Sequence, residues 1–359
     1  MKAAILQTQG KLDIVDLAVD KPQRREVLIR TIGSGLCHSD LHAIDAPMAR
    51  PMAIVPGHEA SGIVEQVGED VTYVKPGDHV ITFLVQFCGA CEYCLNGKPT
   101  LCARPVGARG KDSAPRLTYD GKPVGQFTNL GGFAELMLVH EHAVAKIDPD
   151  YPFDRAAVIG CGMCTGLGSV LKSANVRAGS TVAVIGGGGV GLSAVQGARV
   201  AGARRIFVVD VEASKAELAK KAGATDFINA KDGDPVKQIM DLTGGGVDYS
   251  FECLGLKETC EQSVKVLRVG GLATIIGIGG GDFAVNAGFI LRGRRVQGAF
   301  MGDNNFRADM QNYIELDRQG KIDVGSLIEK HIHLDDINDG YDAMRARQIQ
   351  GRRVIMFPT

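Results

Sequence analysis

Four of the nine cysteines, Cys88, Cys91, Cys94 and Cys102, follow the pattern C-x2-C-x2-C-x7-C. Each C-x2-C turn presents two thiolates to one point, and four soft ligands at about 2.3 Å complete a tetrahedral Zn2+. Gly89, Gly97 and Pro99 supply the bends that a wrapped loop needs. With four protein ligands no position is left for substrate, so such an ion would be structural and the lobe, residues 86–103, would do no catalysis. An iron–sulfur cluster and four unliganded thiols are the alternatives that the spacing leaves open.

A second group is dispersed: Cys37-His38-Ser39-Asp40, Gly57-His58-Glu59 and Gly160-Cys161-Gly162. Singly, such a cysteine reads equally as a small core residue, and such a histidine as a structural one. Together they could supply a Cys2His set with a fourth position open, where zinc acts as a Lewis acid on a bound hydroxyl. Spacing alone does not decide between these readings.

Val182-Ala183-Val184-Ile185 leads into Gly186-Gly187-Gly188-Gly189-Val190-Gly191, a β-branched run followed by G-x-G-x-x-G and a helix-like stretch. Gly186 permits the tight turn, Gly188 lets a pyrophosphate approach the backbone, and Gly191 allows close helix packing. The free amides of the helix start, Gly189 and Val190, would bind the phosphate charge. A glycine turn with no ligand is the bland alternative. Asp210, 24 residues after Gly186 at the end of the next β-like run, favours a dinucleotide, because a carboxylate there accepts from the adenosine ribose. It would also repel a 2′-phosphate, so NAD is expected over NADP. Arg204 and Arg205 precede that run and read as solvated surface.

These residues need elements to hold them. Up to about residue 150, short β-like runs (Ala3–Leu6, Glu26–Thr31, Ala60–Val67, His79–Thr82, Ala134–Val139) are separated by turn signals such as Lys75-Pro76-Gly77-Asp78, which predicts an irregular β-rich domain. From about residue 165 the pattern changes. Val182–Ile185, Ile206–Val209, Val247–Glu252, Leu272–Gly277 and Val296–Phe300 mostly alternate with helix-like Val190–Ala201, Ser214–Ala222, Asp234–Leu242 and Lys257–Val266, predicting an α/β, doubly wound parallel sheet. Arg307–Arg318 and Asp335–Arg347 read as helices and Arg353–Phe357 as a closing strand.

A chain of 359 residues suits two domains. With 40 Lys plus Arg against 41 Asp plus Glu, the formal net charge of -1 disfavours nucleic acid or an anionic membrane surface as partner. Glycine numbers 47, against about 25 expected at roughly 7% usage, and it punctuates apolar runs rather than forming low-complexity sequence. The uncharged run Ala178–Ala198 is long enough to span a bilayer, but its glycine cluster reads as strand and turn. The N-terminal stretch lacks an apolar h-region, and the odd number of cysteines suits metal binding in a reducing compartment, so a cytoplasmic location is expected.

GLCHSD at 35–40, GHE at 57–59, the four-cysteine lobe, GCGMCTG at 160–166 and GGGGVG at 186–191 stand in an order and spacing that closely resemble the zinc-dependent medium-chain alcohol dehydrogenases, over essentially the whole chain. The resemblance implies a GroES-like β-rich catalytic domain at 1–162 and 301–359 and a Rossmann NAD-binding domain at 163–300. It implies two Zn2+ per subunit, one catalytic and one structural, with NAD as coenzyme. Cys37, His58 and Cys161 match the catalytic zinc ligands, Glu59 a glutamate that can swing onto the metal, and Asp40 the carboxylate that orients the zinc-bound histidine. Ser39 matches the hydroxyl that takes the substrate proton, and His42 the base that relays it to solvent. Thr165, Ile276, Ile278, Ala299 and Met301 match positions lining the coenzyme, and Lys215 and Arg352 its ribose and pyrophosphate contacts. His38 stands where many members carry an arginine against the pyrophosphate, a departure that implies a weaker charge contact. Met48, Leu84, Ile278 and Phe300 match the wall of the substrate pocket.

The resemblance implies reversible hydride transfer between an alcohol and NAD. Met48 and Leu84 fall where ethanol-preferring relatives often hold tryptophan, and the chain has no tryptophan, so a medium-sized or bulky apolar primary alcohol is expected. The alternative within the family is a dehydrogenase of glutathione- or mycothiol-linked formaldehyde, although Cys102-Ala103-Arg104-Pro105 does not reproduce the arginine spacing of glutathione-dependent members. A polyol dehydrogenase would commonly carry glutamate in place of Cys161, and a zinc-free quinone reductase would lack both metal sets. A nucleic-acid-binding zinc module is disfavoured by the charge balance. Family members assemble through the edge strand near Arg295–Met301. The 28-residue segment Ala103–Leu130 resembles the dimeric branch, so a homodimer is expected over a homotetramer.

Overall fold

The computed structural model describes residues 1–47, 52–110, 113–279 and 281–358. The chain divides into two compact units. One comprises Met1–Cys161, Asn305–Glu315 and Ile328–Thr359, and the other Gly162–Asn304 and Leu316–Leu327.

In the second unit six strands form one parallel sheet. Its order is Asp226–Asn229, Arg205–Asp210, Thr181–Ile185, Val247–Glu252, Leu267–Ile275, Arg295–Gly298. In chain order this is 3-2-1-4-5-6, so the strand sequence reverses at Thr181–Ile185, where an open α/β sheet leaves a crevice beyond its strand ends. Thr181–Ile185 is buried throughout, as an interior parallel strand covered on both faces must be. The crossovers include helices Gly189–Val200, Ala216–Ala222, Pro235–Thr243 and Lys257–Lys265. Local chemistry fixes their ends. Asp234 accepts from the amides of Val236 and Lys237, Pro235 opens its helix, and Gly244 closes it in the left-handed region. The β-like run expected at Leu272–Gly277 is the second half of Leu267–Ile275, and it stops where Gly277 turns against Leu254 and Gly255.

The other unit is built from mixed sheets. Strand Glu26–Gly35 runs through the larger one, pairing antiparallel with Glu59–Val67, Leu136–His140 and the C-terminal strand Arg352–Met356. Ten consecutive residues buried or nearly so make it the spine of a core that includes Val27, Ile29, Val64, Val80 and Met137. A second core, with Leu36, Leu41, Ile44, Phe133, Ile337 and Tyr341, lies behind the spine's C-terminal end.

The sequence places all of 301–359 with the β-rich unit, yet 301–304 and 316–327 pack with the parallel sheet. Side-chain pairing accounts for the latter segment: Gln196, on helix Gly189–Val200, donates to the Asp323 carbonyl at 3.1 Å and accepts from its amide at 2.6 Å. A continuous helical segment, Phe153–Ser173, is apolar enough to cross a membrane by length and composition, but 83% of its apolar window is buried in protein, as in a core helix. The uncharged run Ala178–Ala198 resolves into strand, glycine turn and helix.

Candidate active site

Three different elements carry Cys37, His58 and Cys161. Cys37 follows the end of the spine strand by two residues and forms the N-cap of the helix His38–Asp45, whose Leu41 and Ile44 anchor it in the core. A helix start favours a thiolate there. His58 follows Gly57, which has φ +92°, and a β-carbon on Gly57 would lie 2.6 Å from the Phe133 amide nitrogen. Only glycine suits that turn. Cys161 sits in a π-helical turn, Ile159–Met163, inside the long helix. A β-carbon on Gly160 would stand 2.7 Å from the Thr82 carbonyl, so the absent side chain lets helix and strand approach.

Ligand atoms of Cys37, His58, Glu59 and Cys161, all buried, lie within 4.8 Å of one another, and His58 Nε2 is 3.2 Å from Cys161 Sγ. Asp40 Oδ2 holds His58 Nδ1 at 2.9 Å, and its other oxygen accepts the Gly57 amide at 2.8 Å. This fixes the imidazole with Nε2 turned to the thiols. Arg352 Nε approaches Glu59 Oε1 at 3.3 Å, and its Nη2 is 3.9 Å from Cys37 Sγ. Ser39 Oγ lies 3.7 Å from Cys37 Sγ.

The electrostatics call for a cation. The Cys161 thiol, against the cost of burial and with Arg352 and His58 adding, holds Cys37 well below the usual thiol range. Burial opposes charge on His58, but Asp40 and Cys37 outweigh it and drive the ring toward protonation. Burial pushes Glu59 up to about 8, and neither of its oxygens has a hydrogen-bond partner among the described residues. Two thiols, an imidazole and a nearby carboxylate, buried and within reach of one point, suit Zn2+.

The four-cysteine lobe fits a single ion. Sγ separations are 4.0 Å for Cys88–Cys94, 3.5 Å for Cys91–Cys94 and 3.9 Å for Cys91–Cys102. The edge of a tetrahedron with 2.3 Å metal–sulfur bonds is about 3.8 Å, whereas a multi-iron cluster holds its thiolates farther apart. Backbone amides of Ala90 and Cys91 donate to Cys88 Sγ, and that of Cys88 to Cys102 Sγ. Amide donation lowers Cys91 to about 6, while burial raises Cys94 to about 12. A Zn2+ among them would hold all four as thiolates.

The glycine loop fits a dinucleotide. A β-carbon on Gly191 would overlap the Gly186 carbonyl oxygen, whereas one on Gly188 would meet nothing within 4 Å. Gly191 is thus required by the fold, while Gly188, the N-cap of helix Gly189–Val200, leaves free space in front of the helix start. Asp210 Oδ2 accepts from the Gly187 amide at 2.7 Å and from Lys215 Nζ at 2.9 Å. Arg205 is paired with Asp226 and does not offer its charge to a 2′-phosphate.

Within the parallel-sheet unit Thr165 donates to Met301 Sδ at 3.6 Å, and Ala299 is buried beside that turn. Ile276 is half-buried, and Ile278 and Phe300 are 60% and 49% exposed. In the β-rich unit Leu84 is half-buried against the spine core, and His38 and His42 are exposed. Met48 lies outside the described residues. Arg352, matched by resemblance to coenzyme contacts, lies in the β-rich unit with the metal set. Two supporting residues escape sequence reading. Asn304 donates to the carbonyls of Met301 and Cys164, holding a turn in which Met301, Gly302 and Asp303 all have positive φ. Glu252 accepts the amides of Leu254 and Gly255, which pack on Gly186 and Gly279. Neither residue stands in a motif, so nothing in the sequence marks it.

Residues 23–149 match the family described as alcohol dehydrogenase GroES-like domain, and residues 189–317 that described as zinc-binding dehydrogenase. The chain is 38% identical over 354 residues to an S-(hydroxymethyl)glutathione dehydrogenase of Synechocystis sp., with 96% of each chain covered. It is 39% identical over 361 residues to alcohol dehydrogenase class-3 of Pisum sativum, covering 97% of this chain and 95% of the other. Among solved structures it resembles the benzyl alcohol dehydrogenase of Acinetobacter calcoaceticus with a TM-score of 0.92 at 31% identity, over 99% of both chains.

Proposed function

The chain belongs to the zinc-dependent medium-chain alcohol dehydrogenase family, and from that premise we propose that it interconverts medium-sized or bulky apolar primary alcohols with their aldehydes. Bound at their sites, zinc supplies Lewis acidity to the substrate hydroxyl and NAD accepts the hydride. Cys37, His58 and Cys161 would hold the catalytic ion, and Asp40 keeps the His58 ring in the tautomer that can ligate. Ser39 takes the substrate's hydroxyl proton. His42, three residues on along the same helix and exposed, passes it to water. Gly188 and the first amides of its helix receive the pyrophosphate, and Asp210 accepts from the ribose.

The observation that carries the substrate reading is that the chain has no tryptophan, so Met48 and Leu84 stand where ethanol-preferring relatives often hold that residue. Each methylene buried there adds about 0.8 kcal/mol, roughly fourfold in specificity. Similarity to a benzyl alcohol dehydrogenase supports it. In a series from ethanol to octanol plus benzyl alcohol, kcat/KM is expected to rise by about two orders of magnitude over ethanol. A flat profile, or a preference for ethanol, refutes the reading.

A second reading, oxidation of a thiol adduct of formaldehyde, is favoured by the identity to S-(hydroxymethyl)glutathione dehydrogenase. Rates with formaldehyde alone, with glutathione and with mycothiol separate the two. Cysteines gathered into two metal-ligand sets suit a reducing, cytoplasmic setting, and a homodimer is the assembly we infer.

A further inference from the structure

Tyr341 is 1% exposed, and its hydroxyl oxygen has no hydrogen-bond partner among the described residues. It lies on the helix Ile337–Arg345 and shares a core with Leu36, Leu41 and Phe133. At Gly340 a β-carbon would stand 2.6 Å from Leu36 Cδ2, so the helix touches the residue preceding Cys37. The Tyr341 ring meets Phe133 edge to face, with centroids 6.1 Å apart. Phe133 is bound in turn to the segment before His58, its amide donating to Pro56 O at 3.0 Å. The phenol is therefore enclosed between the strand end that delivers Cys37 and the turn that delivers His58 and Glu59. A phenol hydroxyl donates as well as accepts, and Phe133 also stands against Gly57, whose amide Asp40 accepts. Among the described residues Asp40 Oδ2, both Glu59 oxygens and Arg352 Nε likewise make no hydrogen bond of good geometry, beyond the ion pairs Asp40–His58 and Arg352–Glu59. Such a set is what a buried water, with about three polar partners, links.

We propose that Tyr341 is a positioning residue of the metal centre, its hydroxyl donating through one buried water to the Asp40 carboxylate that orients His58. The hydroxyl thereby steadies Asp40 and, through it, the imidazole. An unpaired buried hydroxyl would instead be a cost to folding. The two cases predict opposite results for one conservative substitution, Tyr341→Phe, which keeps the ring.

The proposal rests on the metal assignment, and the experiment separates the two. Zinc release from the intact enzyme into a chromogenic chelator is followed, with Cys37→Ser identifying the phase that belongs to the catalytic ion. Tyr341→Phe is expected to speed that phase about tenfold, in the range found for partners of metal ligands. The phase of the four-cysteine lobe should be unchanged and Tm lowered. An unchanged or raised Tm with unchanged release overturns the proposal, as does equal acceleration of both phases. A wild-type enzyme that releases fewer than two zinc ions overturns the metal assignment instead.

Discussion

Asp40 shows how much one side chain carries. One oxygen accepts the Gly57 amide and the other holds His58 Nδ1, so a single carboxylate fixes both the turn and the ring. Replacing it with asparagine leaves the first bond possible and turns the second around: an amide N–H facing Nδ1 requires that nitrogen to accept, which moves the proton to Nε2, where a ligand needs a lone pair. Asp40→Asn should therefore keep the fold, lose about one of two zinc ions by elemental analysis, and lower kcat/KM by roughly 10–100-fold. Two zinc ions with normal turnover in this variant would show that Asp40 does not govern the tautomer. Residues of this kind were legible in the sequence as types in clusters, because thiols, imidazole and carboxylate are chemically marked. The place of Arg352 was not, since its approach to Glu59 depends on the C-terminal strand pairing beside Gly35.

At the scale of elements, the glycine loop separates fold from function. Gly191→Ala forces a methyl into the Gly186 carbonyl and should cost about 1–3 kcal/mol, as overpacking does. Gly188→Ala meets open space at a φ of -84° that alanine adopts freely, so Tm should hold while NAD binding, followed by NADH fluorescence, weakens. Equal stability loss in both variants would mean that the space before Gly188 is not a ligand's. A second element-level device ties the segment after the cysteine lobe to the spine strand. Glu26 receives Arg109 at 2.5 Å and Arg116 at 2.8 Å, and Asp20 shares Arg109 at 2.6 Å. Burial alone would raise the Glu26 carboxyl, yet the two arginines bring it below its ordinary 4.5. A lowered carboxyl gives stability that is complete above that ordinary value and is lost as pH falls through the lowered one. Glu26→Gln, which leaves two guanidinium groups underpaired, should cost about 3–5 kcal/mol near neutrality. Urea unfolding should show the gap to wild type closing below pH 4.5. The central strands could be read from their β-branched runs. Strand Asp226–Asn229 could not, because its four residues DFIN carry two polar side chains and make a short edge. The π-turn holding Cys161 also left no mark in the sequence, since it follows from close packing at Gly160 rather than from propensity.

At the scale of the whole molecule, the parallel sheet ends at Arg295–Gly298 with one side unpaired among the described strands. Leu291, 88% exposed, and the exposed Ile290 and Val296 lie on or just before it. A bare apolar edge is a template for pairing with another chain, and natural proteins cover such edges. The simplest cover is a second copy across a two-fold axis, which sets each edge strand antiparallel to itself and continues the sheet. That arrangement makes a direct demand on charge. A lysine introduced at Val296 would appear on both sides of the axis, so like charges would meet across a short distance without a partner of opposite sign. Wild type is expected to sediment at the mass of two subunits. Val296→Lys should weaken dimerisation by at least about 100-fold, near 2.7 kcal/mol, while each subunit keeps its zinc and its far-ultraviolet circular dichroism. A wild-type mass of four subunits would point to further contacts beyond this edge, and a dimer that tolerates Val296→Lys would place the two-fold axis on another face.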